Sequence, residues 1–150
     1  VEAIENARIA RVPLWTDRRA ESGPFDIVGD VHGCDDELAA LLAALGYADD
    51  GAHPDGRRLV FVGDLVDRGP KVVEAATRVM DLVDAGRALC VPGNHDDKLK
   101  RALSGRAVTV SHGLQESLDQ IAALPEARRD AFAARWIAFQ ERLVSHLWLD

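Results

Sequence analysis

Three short segments carry side chains that could hold a metal and move a proton: Gly29-Asp30-Val31-His32-Gly33, Gly63-Asp64-Leu65-Val66-Asp67-Arg68-Gly69 and Gly93-Asn94-His95-Asp96. Carboxylate oxygen, imidazole nitrogen and amide oxygen suit a divalent first-row metal such as manganese, iron, zinc, nickel or cobalt. The Asp-x-His step puts two donors, Asp30 and His32, on one loop. The carboxylate of Asp64 has two oxygens and can bridge two ions, and Asn94 adds an oxygen without adding negative charge. Arg68 offers a planar fork matched to phosphate oxygens. Flanking glycines allow sharp turns and a close approach of backbone to an anion. Two metals, one fork and one further histidine, His95, make a constellation for phosphoryl transfer. A single Gly-Asp turn after a strand is ordinary loop punctuation; three of them, each after a strand, argue for a site.

The elements that must position these loops are legible around them. Short apolar runs at 25–28, 58–62 and 87–91 read as buried strands, each ending at one motif and each followed by a helical pattern. In open α/β sheets, that carboxyl edge is where ligands bind. Leu38, Leu41, Leu42 and Leu45 predict a helix over 37–45, and Val72, Val73, Ala76, Val79, Met80 and Val83 predict one over 70–85. Further helices are expected over 96–103, over 114–124 before Pro125, and over 126–146. The last carries an apolar stripe of Phe132, Trp136, Phe139, Leu143 and Leu147, read as core or lid packing. Residues 108–110 read as a brief strand or extended turn, 1–12 as weakly helical and 16–23 as a polar linker. The β-α-β-α-β order implies a parallel or mixed sheet of the α/β or α+β class.

At 150 residues the chain suffices for one domain with a sizeable core. No apolar run is long enough to span a bilayer, so no membrane partner is expected. The first residues, with Glu2 and Glu5, do not form a signal peptide, and a cytoplasmic location is expected. Cys34 and Cys90 make no disulfide framework; Cys90 reads as a small buried apolar residue. The net charge of −7 argues against broad binding of duplex nucleic acid. Two bound divalent cations would offset about four of those charges. Among basic clusters, Lys98, Lys100, Arg101 and Arg106 are the best placed for substrate contact, because they follow the Asn94-His95 loop. His53 reads as solvated, and His146 as structural at a helix end. Asp35, Asp36, Asp96 and Asp97 read as first-turn capping and helix-dipole groups.

The order and type of the three motifs resemble the calcineurin-like metallophosphatases, in the phosphoprotein-phosphatase branch. The segments Pro13-Leu14-Trp15-Thr16-Asp17, Gly23-Pro24-Phe25-Asp26-Ile27, Ala88-Leu89-Cys90-Val91-Pro92-Gly93-Asn94-His95-Asp96 and Ser111-His112-Gly113-Leu114 look like the phosphatase module of bacterial polynucleotide kinase-phosphatase. This resemblance implies a β-sandwich flanked by helices, of which the chain would hold the N-terminal half plus a helical insert. It implies residues 1–24 as a linker or the tail of a preceding domain, and 25–150 as a C-terminally truncated metallophosphatase domain. It implies two divalent metals, manganese first among the candidates. Asp30 and His32 would hold one, Asn94 the other, and Asp64 both. Arg68 would clamp phosphate oxygens, and His95, oriented by Asp67, would protonate the leaving oxygen. Two further ligand histidines would come from later strands. After Asn94 the chain has only His95, His112 and His146, and His112 is expected outside the metal set.

The implied substrate is an RNA 3′ end bearing a 2′,3′-cyclic phosphate or a 2′/3′-phosphate, handled in RNA repair beside kinase and ligase-like domains of the same longer chain. The alternatives are a phosphoprotein or dinucleoside-tetraphosphate phosphatase, or a non-catalytic fragment with an incomplete metal site. Oligomeric state is left open.

Overall fold

The structure, a computed structural model, describes residues 15–150. The weakly helical stretch expected over 1–12, with Pro13 and Leu14, lies outside the described residues. The chain then runs β1 (Trp15–Asp17), β2 (Phe25–Val28), α1 (Asp35–Ala44), β3 (Arg58–Phe61), α2 (Val72–Asp84), β4 (Ala88–Cys90), α3 (Asn94–Leu103), α4 (Leu114–Ala122), α5 (Glu126–Arg142) and β5 (His146–Trp148). Strands β2, β3 and β4 form one parallel sheet in that order, with Ile27 opposite Val60 and Val60 opposite Leu89. The parallel α/β expectation holds, and with it the placement of all three motifs at one sheet edge.

Side chains alternate across this sheet. Leu59 and Phe61 are fully buried and join Val79, Met80, Leu99 and Trp136 in a single core under the helices. The opposite face presents Ile27, 70% exposed, and Val62. A second sheet packed face to face, as a sandwich requires, is not formed among the described residues. Instead β1 pairs in parallel with β5, Trp15 opposite His146.

That pair corrects two readings. The polar stretch at 16–23 begins with strand residues rather than being linker throughout. The long C-terminal helix stops at Arg142, because Leu143 turns to extended backbone, and His146 lies on a strand instead of a helix end. Residues 108–110 form no strand.

Helix boundaries follow local chemistry. Helix α2 starts after Pro70 and stops at Ala85, with Gly86 just beyond in the left-handed conformation (φ +71°) that favours glycine. Helix α3 starts two residues earlier than expected because Asp96, at its third position, reaches back to accept the Gly93 N–H at 2.9 Å. The apolar stripe of α5 is core: Phe132, Trp136 and Phe139 are buried, and Trp136 is fully so. Arg135 and Arg142 of α5 pair with Asp84 at the end of α2. Arg78 of α2 forms a two-pronged pair with Asp35 of α1 at 2.7 and 2.9 Å. No helix among the described residues is long and apolar enough to cross a membrane.

Two outcomes test this packing. Trp136→Ala leaves a large void and is expected to cost about 3–5 kcal/mol in denaturant unfolding. The second concerns Asp26, which accepts from Arg57 at 2.7 Å and from Tyr47 at 2.7 Å. Arg57 first and then Tyr47 lower its pKa from 3.8 to about 2. A lowered carboxylate stabilises the fold above its unfolded pKa, so that contribution is lost as pH falls from 3.8 through about 2. Asp26→Asn should flatten the fall in urea midpoint across that window; an unchanged slope would show that Asp26 does not drive it.

Candidate active site

Each motif leaves the end of its strand and meets the others at the middle loop. The backbone carbonyl of Asp64 accepts the N–H groups of Val31 and His32 at 3.1 and 2.9 Å. Its carboxylate oxygen Oδ1 accepts the His95 N–H at 3.0 Å. Asp64 thus ties the first loop to the third. The crossing is tight: a Cβ on Gly93 would collide with the carboxylate and backbone nitrogen of Asp64, and one on Gly69 with the carbonyl of His32. Only glycine fits there. Among the described residues, five non-glycine residues have positive φ, namely His32, Asp64, Asp67, Arg68 and His112. Four of them are motif residues, so the strain is gathered at the site.

The donor atoms converge. His32 hydrogen-bonds the Val66 carbonyl through Nδ1 at 2.8 Å. A carbonyl only accepts, so Nδ1 carries a proton, which in the neutral ring leaves the lone pair on Nε2. That Nε2 lies 3.5 Å from Asp30 Oδ2. One ligand atom each from His32, Asp64 and His95 lies within 4.8 Å of the others. Asp30 is exposed, and Asn94 is exposed at the first position of α3, next to His95. An anchored imidazole with two carboxylates beside it fits a divalent metal, and Asn94 stands at the start of the helix that carries His95.

Beside them lies a buried His–Asp pair. His95, largely buried, contacts Asp67 Oδ2 through Nδ1 at 2.7 Å. The other nitrogen, Nε2, lies 3.4 Å from the Arg68 guanidinium. The rings of His32 and His95 meet edge to face at 4.8 Å. Asp67 is fully buried, and the side chain that completes its shell is one the sequence reading missed. Ser117 of α4 donates to Asp67 Oδ1 at 2.6 Å and accepts the Asp67 N–H at 2.9 Å. Gln120, one turn later, donates to the Gly69 carbonyl and accepts the Val72 N–H. The available signal was a hydroxyl inside the otherwise apolar stripe Leu114, Leu118, Ile121.

The remaining candidates fall away from chemistry. Asp96 is buried under the site and accepts from Leu65 and Gly93; burial pushes its pKa up to about 6 against those bonds. This matches its capping role. His53 is not simply solvated: it accepts the Asp55 N–H on Nδ1, so its other nitrogen donates to the Leu45 carbonyl at 3.0 Å. Lys98 is held by Ser111 and Lys100 pairs with Asp97, which leaves the basic cluster partly engaged. Cys34 is half-buried before α1, with its sulfur 3.7 Å from the His32 carbonyl. His112 is exposed on the loop whose Gly113 carbonyl accepts the Arg68 N–H at 3.3 Å.

Candidate metal donors at the carboxyl edge of a parallel sheet, with a buried His–Asp pair and an arginine fork beside them, have the makeup of a phosphoesterase site. The chain belongs to the calcineurin-like phosphoesterases, whose family model matches residues 23–144. It is 44% identical over 129 residues to a bis(5′-nucleosyl)-tetraphosphatase PrpE [asymmetrical] of Geobacillus thermodenitrificans, covering 84% of this chain and 53% of that protein. It is 46% identical over 121 residues to the protein of that name from Halalkalibacterium halodurans, covering 79% of this chain and 49% of that one. A solved structure of a candidate diadenosine tetraphosphatase superposes with a TM-score of 0.60 at 27% identity, over 90% of this chain and 49% of the other. A protein serine/threonine phosphatase of Saccharomyces cerevisiae shares the fold, with a TM-score of 0.59 at 18% identity over 91% of this chain and 38% of that one.

The chain spans about half the length of the curated relatives it matches. These relatives are tetraphosphatases, not polynucleotide kinase-phosphatases, and they give RNA repair and neighbouring kinase and ligase-like domains no support. The RNA-repair expectation rests on the segments at 13–17, 23–27, 88–96 and 111–114, and the tetraphosphatase relatives show that likeness there does not fix the substrate.

Asp64 offers both a carboxylate to the donor set and the bonds that join two loops. Asp64→Ala is therefore expected to weaken manganese binding by about tenfold or more in calorimetry. Wild-type affinity in that variant would remove Asp64 from the metal set.

Proposed function

We propose that this chain carries the phosphoryl-cleaving site of a metal-dependent hydrolase of dinucleoside polyphosphates, with Asp30, His32, Asp64 and Asn94 as metal ligands and Arg68, His95 and Asp67 as the groups that grip and protonate. The observation that carries the substrate class is the 44% identity, over 129 residues, to a bis(5′-nucleosyl)-tetraphosphatase. The geometry supports the roles. Divalent ions held by this donor set would supply acidified water and neutralise charge on the phosphoryl group. The Arg68 fork is exposed at the rim, able to grip non-bridging oxygens, and stands 3.4 Å from His95 Nε2. We read His95 as the proton donor to the leaving oxygen rather than as a ligand, because its partner is the buried carboxylate of Asp67. Asp67, at 2.7 Å from Nδ1, fixes the orientation of the ring.

A dinucleoside tetraphosphate fits such a site without extensive nucleic-acid contacts. Its chemistry is a phosphoanhydride cut, and its leaving group is itself a phosphate. Cleavage off the centre of the chain yields a nucleoside triphosphate and a monophosphate, whereas a central cut yields two diphosphates.

Chromatography of the products decides the substrate class. The manganese-loaded protein is expected to turn over a dinucleoside tetraphosphate with a kcat/KM on the order of 10² above that for an RNA 3′-phosphate. The reverse ratio would return the site to RNA-end chemistry. His95→Ala is a separate check on the proton donor, since a positioned acid contributes about 10²–10⁴-fold where the leaving group is poor. It should slow phenyl phosphate hydrolysis far more than p-nitrophenyl phosphate hydrolysis. Equal losses would assign His95 another task.

A further inference from the structure

We infer that Ser117 is the positioning residue of the Asp67–His95 pair, and that helix α4, through Ser117 and Gln120, holds the middle loop in the shape that proton donation requires. The inference rests on the proposed reading of His95 as the leaving-group donor.

A carboxylate buried as completely as Asp67 needs a hydrogen bond to each oxygen. His95 supplies one, at 2.7 Å to Oδ2. Ser117 supplies the other, at 2.6 Å to Oδ1. The same hydroxyl oxygen also accepts the Asp67 backbone N–H at 2.9 Å. One fully buried side chain therefore fixes both the carboxylate plane and the peptide from which it projects. That peptide needs holding, because Asp67 and Arg68 have φ +72° and +67°, conformations that non-glycine side chains rarely adopt.

Gln120 completes the grip. Three residues after Ser117 it lies on the same face of α4. Its amide nitrogen donates to the Gly69 carbonyl at 2.9 Å, and its amide oxygen accepts the Val72 N–H at 2.7 Å. The Gly113 carbonyl, just before α4, accepts the Arg68 N–H. A single helix of nine residues thus contacts the loop from Asp67 to the start of α2 and touches none of the proposed metal ligands through these bonds. Without the Ser117 hydroxyl, Oδ1 is left bare in a dry pocket. The carboxylate must then rotate or recruit another donor, and His95 loses its fixed orientation.

The test separates positioning from simple packing. Ser117→Ala, Ser117→Thr and His95→Ala are assayed in the manganese-loaded protein on p-nitrophenyl and phenyl phosphate. Ser117→Ala should lose about tenfold more activity on phenyl phosphate than on p-nitrophenyl phosphate, following His95→Ala in kind, and Ser117→Thr should recover most of the loss. A second readout needs no turnover: in the metal-free protein, the downfield proton resonance of His95 Nδ1–H should broaden or shift in Ser117→Ala and persist in Ser117→Thr. If His95→Ala shows no dependence on leaving group, the proton-donor reading fails. If His95→Ala shows it while Ser117→Ala loses both substrates equally, or leaves the resonance unchanged, Ser117 is only a packing residue and this inference is overturned. Should Ser117→Ala not fold, Ser117→Cys, which keeps the size but weakens the donor, undergoes the same two measurements with the same outcomes decisive.

Discussion

Asp64 stands where the three strand-end loops must be joined, and it joins them with both its backbone and its side chain. Its carbonyl takes two N–H groups from the first loop, and its carboxylate takes one from the third. The carboxylate that accepts from the third loop also belongs to the candidate metal set. Structure and chemistry therefore compete for one carboxylate. The geometry resolves this by using the main-chain N–H of His95 rather than a side chain, leaving the other oxygen unclaimed by that bond. The contact requires glycine at position 93, since any Cβ there would occupy the space Asp64 fills. Loop convergence and the glycine pattern are thus one constraint seen from two sides.

The sheet makes this convergence possible. Three parallel strands in the order β2-β3-β4 deliver their carboxyl ends to one edge, with the Asp64 strand in the middle. The helices bury one face only, so the fold places its core beneath the site and leaves Ile27 and Val62 on the opposite side. Helices α2 and α5 are tied through Asp84 to Arg135 and Arg142, ion pairs with exposed partners that add little stability compared with the aromatic core they frame.

Two polar layers support the candidate site from below. Asp96 accepts from the backbone of both the second and third loops, and Ser117 with Gln120 braces the second loop from α4. Each layer satisfies backbone groups that sharply turned, positive-φ loops cannot pair among themselves. The relatives that match this chain are named for dinucleoside polyphosphates. A net charge of −7 gives the chain no basic surface of the kind that binds extended nucleic acid.

The sequence by itself determined the three strands, the helices between them and the placement of every candidate ligand at one edge, because periodicity and glycine spacing are local properties. The Phe132, Trp136 and Phe139 stripe was legible as core for the same reason. Local signals also misjudged what depended on distant partners. The pairing of Trp15–Asp17 with His146–Trp148 joins residues more than 120 apart and has no local signature. The Ser117–Asp67 and Gln120–Gly69 bonds span 50 and 51 residues. A serine in an apolar stripe reads locally as a neutral helix residue; only the packing of α4 against the second loop makes its hydroxyl the partner of a buried carboxylate. Residue type and spacing specify which groups could bind metal and move a proton. Tertiary structure decides which of them are held still, because orienting a buried charge takes donors from elements far apart in the chain.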